Sequence, residues 1–308
     1  MDLPAALAAA KPGDTLRVPA GRYAVNLRID KAITLLGVGQ VVLDGQHRGS
    51  VVRVACPGGV ARLSGITLVG GTADEAGGGV CLDDGELELT DCTLRFNKAP
   101  QYGGGGLFVG GGKARVARCR VEANTGRQGG GVLVDGTGEL VLRDSTVIQN
   151  AALDGGGVRV KDAGRVVLLG CTVADNKVLG EAARGGALSL SATTTRAPSV
   201  EVRQSIISER SQGPACIANE PPGTLTLVRS LLPPWCAALG GDALYAEAGF
   251  AGTGAEPYLL APSSPACERG DAADFGPDAK DLRGEPRGPR PSLGAFASTA
   301  GAGSTLPY

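Results

Sequence analysis

The sequence predicts an all-β chain wound into one single-stranded right-handed parallel β-helix, a solenoid, with a short capping helix at its N-terminus. Three observations predict it. Glycine-rich starts recur about every 26 residues, two further residue ladders share that period, and apolar residues alternate with period two inside each unit.

The glycine starts are Gly77-Gly78-Gly79-Val80, Gly104-Gly105-Gly106-Leu107, Gly129-Gly130-Gly131-Val132 and Gly155-Gly156-Gly157-Val158, spaced 27, 25 and 26, with a weaker Gly185-Gly186-Ala187. A second ladder runs Ile66, Cys92, Cys119, Ser145, Cys171, Ser205, Ser230, and a third runs Asn97, Asn124, Asn150, Asn176. Two residues after the Cys/Ser ladder stand Leu68, Leu94, Val121, Val147, Val173, Ile207 and Leu232; three and five residues before it stand pairs such as Leu89 and Leu87, or Leu142 and Leu140. These alternating positions are the expected core columns. One coil therefore reads as a first strand, a turn at the Cys/Ser ladder, a second strand, an Asn-bearing turn, the glycines, and a third strand. A coil cannot bury its inner face alone, so stability comes from stacking at the inter-strand distance of about 4.8 Å, and the ends need caps. Asn at a fixed turn is expected to adopt a left-handed conformation and pair its amide with the next coil, while the glycines supply φ > 0.

In chain order, Leu3 to Ala10 predicts a short helix over the first coil, and Pro12-Gly13-Asp14 turns the chain into strand. The solenoid with its cap is expected over residues 1–256, followed by an irregular closing segment, 257–308, rich in Pro, Gly and charge. Fifty glycines among 308 residues and only 4 % aromatics suit many tight turns. A net charge of −1 supplies no overall field toward nucleic acid or anionic lipid. No run approaches the roughly 18 apolar residues of a membrane span, and Met1-Asp2-Leu3-Pro4 lacks a signal-peptide pattern, so the chain is expected to be cytoplasmic or trimmed.

Five of the eight cysteines fall into two kinds. Cys92, Cys119 and Cys171 share a column with Ile and Ser, which predicts small buried thiols. Cys216 and Cys236 lie in irregular sequence and could pair in an oxidising compartment.

The opening, Lys11-Pro12-Gly13-Asp14-Thr15 through Pro19-Ala20-Gly21-Arg22-Tyr23 and then Ile33-Thr34-Leu35-Leu36-Gly37, resembles that of bacterial pectate-lyase-like β-helix proteins. Leu94-Arg95-Phe96-Asn97 leading to Gly103–Gly106 is similar to the repeats of polymorphic outer-membrane proteins. The tail, from Ser263-Ser264-Pro265-Ala266-Cys267 to Leu293-Gly294-Ala295-Phe296, resembles closing segments of choice-of-anchor surface β-helix proteins. The resemblance implies the fold and a secreted or cell-surface setting. It implies no reaction, because this fold hosts lyases, hydrolases, adhesins and inert surface proteins alike.

The best enzymatic constellation is Arg118, Arg120, Glu122 and Asp144, with Arg95, Arg143 and Asp91 nearby on one outer face. In a lyase these would be a base and carboxylates holding Ca²⁺; otherwise they form a salt-bridged face or bind an acidic glycan. The one histidine, His47, sits in a polar loop and leaves no second histidine for a triad or a His-rich metal centre. Thr67, Thr93, Thr146 and Thr172 form an outward column that Arg120 interrupts. A second outer column, Cys81, Phe108, Leu133, Arg159 and Leu188, is unusually apolar, either beneath a loop or as a partner surface. The leading expectation is a non-catalytic surface or secreted protein that binds a glycan or protein partner and needs no cofactor. A polysaccharide lyase or hydrolase acting on an acidic polysaccharide, and a structural spike or assembly module, are the alternatives.

Overall fold

The structure is a computed structural model describing residues 1–180, 184–209, 216–254 and 256–297. Residues 298–308 of the expected closing segment, and the Gly213-Pro214 lead-in to Cys216, lie outside the described residues. The chain is an all-β parallel β-helix with a small N-terminal helix. In the first strands Leu87, Ala114, Leu140, Val166, Val200 and Leu225 stand in parallel register. In the second strands Leu68, Leu94, Val121, Val147, Val173 and Ile207 do the same. The third strands align Val80, Leu107, Val132, Val158, Leu188 and Ile217. All these inward positions are buried in one continuous core except Leu225, half-buried in the last coil. Each fully buried Leu or Val contributes about 1.5–3 kcal/mol.

The Cys/Ser ladder has a physical reason beyond size. Each residue accepts a backbone N–H from the coil before: Cys92 N–H to Cys119 Sγ at 3.3 Å, Cys119 N–H to Ser145 Oγ at 3.0 Å, and Cys171 N–H to Ser205 Oγ at 3.0 Å. It also donates to the carbonyl two residues back, as Cys119 does to Ala117 (3.2 Å) and Ser145 to Arg143 (2.6 Å). A thiol or hydroxyl satisfies both bonds, which is why the two interchange here. Burial pushes the Cys171 thiol up to about 12 and raises Cys119 as well, so both stay protonated at neutral pH.

The asparagine ladder is buried, and it corrects one expectation. The left-handed conformation belongs to the residue before each Asn: Phe96, Ala123, Gln149 and Asp175, at φ between 52 and 56°. The Asn itself is thereby turned inward. Asn150 Oδ1 accepts from the N–H (2.9 Å) and amide (3.0 Å) of Asn124, while its own amide donates to Val121 O (2.9 Å) and Asn176 Oδ1 (3.0 Å). The same pattern links Asn97 to Asn124. The glycines serve two purposes. Only the first of each triplet has φ > 0, for example Gly104 at 68°; at the third, a Cβ on Gly106 would meet Asn124 Nδ2 at 2.9 Å and Gly131 O at 2.7 Å.

α1 (Leu3–Ala9) closes the N-terminal end. Asp2 caps it by accepting the Ala5 N–H at 3.0 Å, and Leu3 and Leu7 are buried on the first coil. Lys31 donates to the carbonyls of Leu7 and Ala10 at the helix C-terminus, where a cation is favoured. No helix among the described residues is long and apolar enough to cross a membrane.

After the last solenoid strand, Asp242–Tyr245, the chain folds back along the outer face of the second strands. Tyr258, Leu282, Ala295 and Phe296 pack on outward Ile148 and Ala174, while Ala248, Leu260, Ala266 and Leu293 pack on Ile206 and Leu231. The tail thus covers one side of the solenoid from the coil of Thr146 onward.

Candidate ligand-binding cleft

The tail decides what the second-strand face can do. Thr146 and Thr172 of the threonine column are buried, and Thr172 Oγ1 accepts the Ala295 N–H at 3.0 Å. The column expected to point outward into solvent is therefore exposed only in part, at Thr67 and Thr93, because the tail takes the place of water elsewhere.

The four residues of the sequence constellation lie along this face, each with a partner. Arg118 grips Asp91 with two bonds, Nε–Oδ1 at 2.8 Å and Nη2–Oδ2 at 3.0 Å, and this raises its pKa further. Arg120 bonds Glu256 of the tail at 2.6 Å, and Glu122 faces Arg95 at 4.0 Å. Asp144, only 6 % exposed, is held by Arg287 at 2.7 Å. Burial raises the Asp144 carboxyl, with Arg287 opposing. The docked tail, through Arg287, removes Asp144 from water. His47 is exposed in its turn with Nδ1 3.2 Å from Thr72 Oγ1. The first-strand face carries paired charges across coils, Arg62–Glu88, Arg115–Glu86 and Lys113–Glu139.

The third-strand face is different. Its outward column runs Arg53, Cys81, Phe108, Leu133, Arg159 and Ser189. Leu188, expected in this column, points inward opposite Val158; the weak fifth glycine start hid the one-residue offset. Cys81 and Leu133 are buried. At Arg53 and Phe108 a cleft of about 460 Å³ opens, lined also by Asp74, Glu75, Asp83, Gln101 and Tyr102.

Its parts are held by cross-coil bonds. Arg53 is clamped by Asp83 (Nε–Oδ2 2.6 Å, Nη2–Oδ1 3.0 Å) and by Glu75 (2.9 Å). Tyr102 stands edge-on to Phe108 with ring centroids 6.0 Å apart, and remains 37 % exposed. The Tyr102 hydroxyl donates to Asp135, which also accepts from Lys161 Nζ at 3.2 Å; the Lys161 ammonium lies 5.2 Å from the Tyr102 ring centre. Burial, then the Asp135 carboxylate, raises the Tyr102 phenol. Burial works against the Lys161 charge, but Asp135 and Tyr102 outweigh it and raise its pKa. Further along, Arg159 is 6 % exposed and bonds Ser189 (2.8 Å), Ser191 (2.5 Å) and Asp154 (3.2 Å).

Sequence reading missed Tyr102, Asp135 and Lys161. Arg159 and Lys161, two apart and so on one face, were the available signal; Tyr102 comes from the segment between the Asn turn and the glycines, where the repeat varies in length. Among the described residues, no three His, Cys, Asp or Glu side chains converge as a metal cluster. Cys216 and Cys236 are joined as a disulfide; Cys56, Cys81, Cys92, Cys119, Cys171 and Cys267 are free.

A family model described as right handed beta helix region matches residues 59–226. Among solved structures, the chain is similar to that titled crystal structure of pectate lyase Pel9A, with a TM-score of 0.56 and 13 % identity, covering 97 % of this chain and 91 % of that one. A likeness at this identity is one of fold. No curated protein matches the sequence.

Proposed function

Because the chain belongs to the right handed beta helix family, a fold that fixes no reaction, we propose that it binds a glycan in the third-strand cleft without cleaving it. The observation that carries this reading is the cleft itself: the Tyr102 and Phe108 rings stand beside Asp74, Glu75 and Gln101. Aromatic faces pack against the C–H surface of a sugar ring, while carboxylates and an amide accept and donate at its hydroxyls. At about 460 Å³ the cleft falls in the range of small-molecule sites, enough for a short stretch of chain.

The protonation states favour binding over catalysis. For Lys or Arg to abstract the proton next to a sugar carboxylate, the side chain must be in its uncharged form. Lys161 and Arg118, the cations best placed on the two faces, are both held more firmly protonated than usual. Asp144, Arg118 and Arg120 are engaged by Arg287, Asp91 and Glu256, so the lyase alternative would first have to release them. A secreted or cell-surface setting is part of the same proposal, and it rests on the resemblance of the opening and closing segments to surface β-helix proteins.

The test is a panel of neutral, acidic and basic polysaccharides, scored for retention of the protein and for release of reducing or unsaturated ends, with and without Ca²⁺. Retention without release, lost in Tyr102→Ala and kept in Tyr102→Phe, is expected. Release of ends that Arg118→Ala or Arg120→Ala abolishes would place an active site on the other face and overturn the proposal.

A further inference from the structure

The charge balance of the cleft points to the class of glycan. Resting on the glycan-binding reading above, we infer that the ligand is a polymer of amino sugars whose amines are free and cationic, and neither a uronate nor a fully acetylated chain.

Three carboxylates, Asp74, Glu75 and Asp83, face one guanidinium, Arg53, which leaves two uncompensated negative charges at the mouth. Asp83 and Glu75 share the one Arg53 guanidinium, so the site keeps an excess of carboxylate, with Asp74 and the shared Glu75 both exposed at the rim. Arg28, in register with Arg53 in the preceding strand, lies outside the cleft lining, and the two cations farther along the face are paired. Lys161 is paired with Asp135, and Arg159 with Asp154. A cleft lined by one sign of charge concentrates ligands of the opposite sign. The aromatic residues act in the same direction, because ring faces attract ammonium groups as well as sugar C–H surfaces. Two independent features, carboxylate excess and aromatic ledge, thus select an ammonium-bearing sugar, whereas a polymer with one carboxylate per residue would meet repulsion along the rim.

The experiment is calorimetric titration of the whole protein with four hexamers: glucosamine, N-acetylglucosamine, galacturonate and lysine. The glucosamine hexamer is expected to bind most tightly, to weaken with added salt, and to lose about threefold or more in affinity for each of Asp74→Asn and Glu75→Gln. Equal or tighter binding of the N-acetylated or galacturonate hexamer would overturn the charge argument and leave the glycan-binding reading standing. Equal binding of the lysine hexamer would show that the carboxylates collect cations regardless of sugar, and would also overturn it. If no sugar hexamer binds, both readings fall.

Discussion

The asparagine ladder ends on a carboxyl, and that ending makes stability depend on pH. Asn176 Nδ2 donates to Glu209 Oε1 at 3.3 Å, so Glu209 stands where the next ladder amide would be. It is buried, and desolvation, opposed by Asn176 and reinforced by Asp175, raises its pKa from 4.5 to about 8. A carboxyl raised in the folded state binds its proton more tightly there than in the unfolded chain. Its contribution is fully present below about pH 4.5 and is lost as pH rises toward 8. At 1.36 kcal/mol per pH unit the interval corresponds to about 5 kcal/mol, comparable with the whole stability of many domains. Glu209→Gln keeps the shape and removes the ionisation. Thermal and urea unfolding at pH 4.5 and pH 9 should show a variant equal to the parent at the lower pH and several kcal/mol more stable at the higher. Equal stability of the two proteins at pH 9 would refute the reasoning, because the Glu209 carboxylate would then cost nothing where it sits.

Three further outcomes are expected. Asn150→Ala removes the partners of the Asn124 N–H and the Val121 carbonyl in a dry core, and at about 1–3 kcal/mol for each orphaned group should lower stability by roughly 2–6 kcal/mol in urea unfolding; a loss below that of the half-exposed Val141→Ala would contradict the ladder's role. Asp144→Ala leaves the Arg287 guanidinium buried without its carboxylate, at about 3–5 kcal/mol, and should make the tail sensitive to limited proteolysis, with Asp144→Leu/Arg287→Met suffering less. Thiol titration of the denatured, unreduced chain should give six thiols, with Cys119 and Cys171 unreactive in the native protein; eight would remove the Cys216–Cys236 bond.

The coil was legible because stacking in register forces identical positions to meet identical environments, so the period survives in the glycines, the Cys/Ser column and the Asn column. The tail was not, although its footprint is written in the outward residues. Thr93-Leu94-Arg95 and Arg120-Val121-Glu122 present charge outside, whereas Thr146-Val147-Ile148, Thr172-Val173-Ala174 and Ile206-Ile207-Ser208 present apolar groups. That change marks the coils the tail covers. Period-two reading looks for the buried face and passes over a second, smaller core outside it. Glu209 escaped notice because its coil is longer, standing 33 residues after Asn176 where the ladder had stepped by 26 or 27. The cleft sets a legible outer column, Cys81 and Phe108, against Asp74, Glu75, Gln101 and Tyr102 from segments outside the repeat, where spacing carries no information about which side chains meet.

Hydrogen–deuterium exchange, with and without the tightest-binding sugar oligomer, tests most directly whether the third-strand face takes the glycan while the tail closes the second-strand face. Slowed exchange within residues 72–84 and 98–110, with the tail unchanged, is the predicted result. Slowing confined to residues 118–148 or 256–297 would place the ligand on the opposite face and contradict the account.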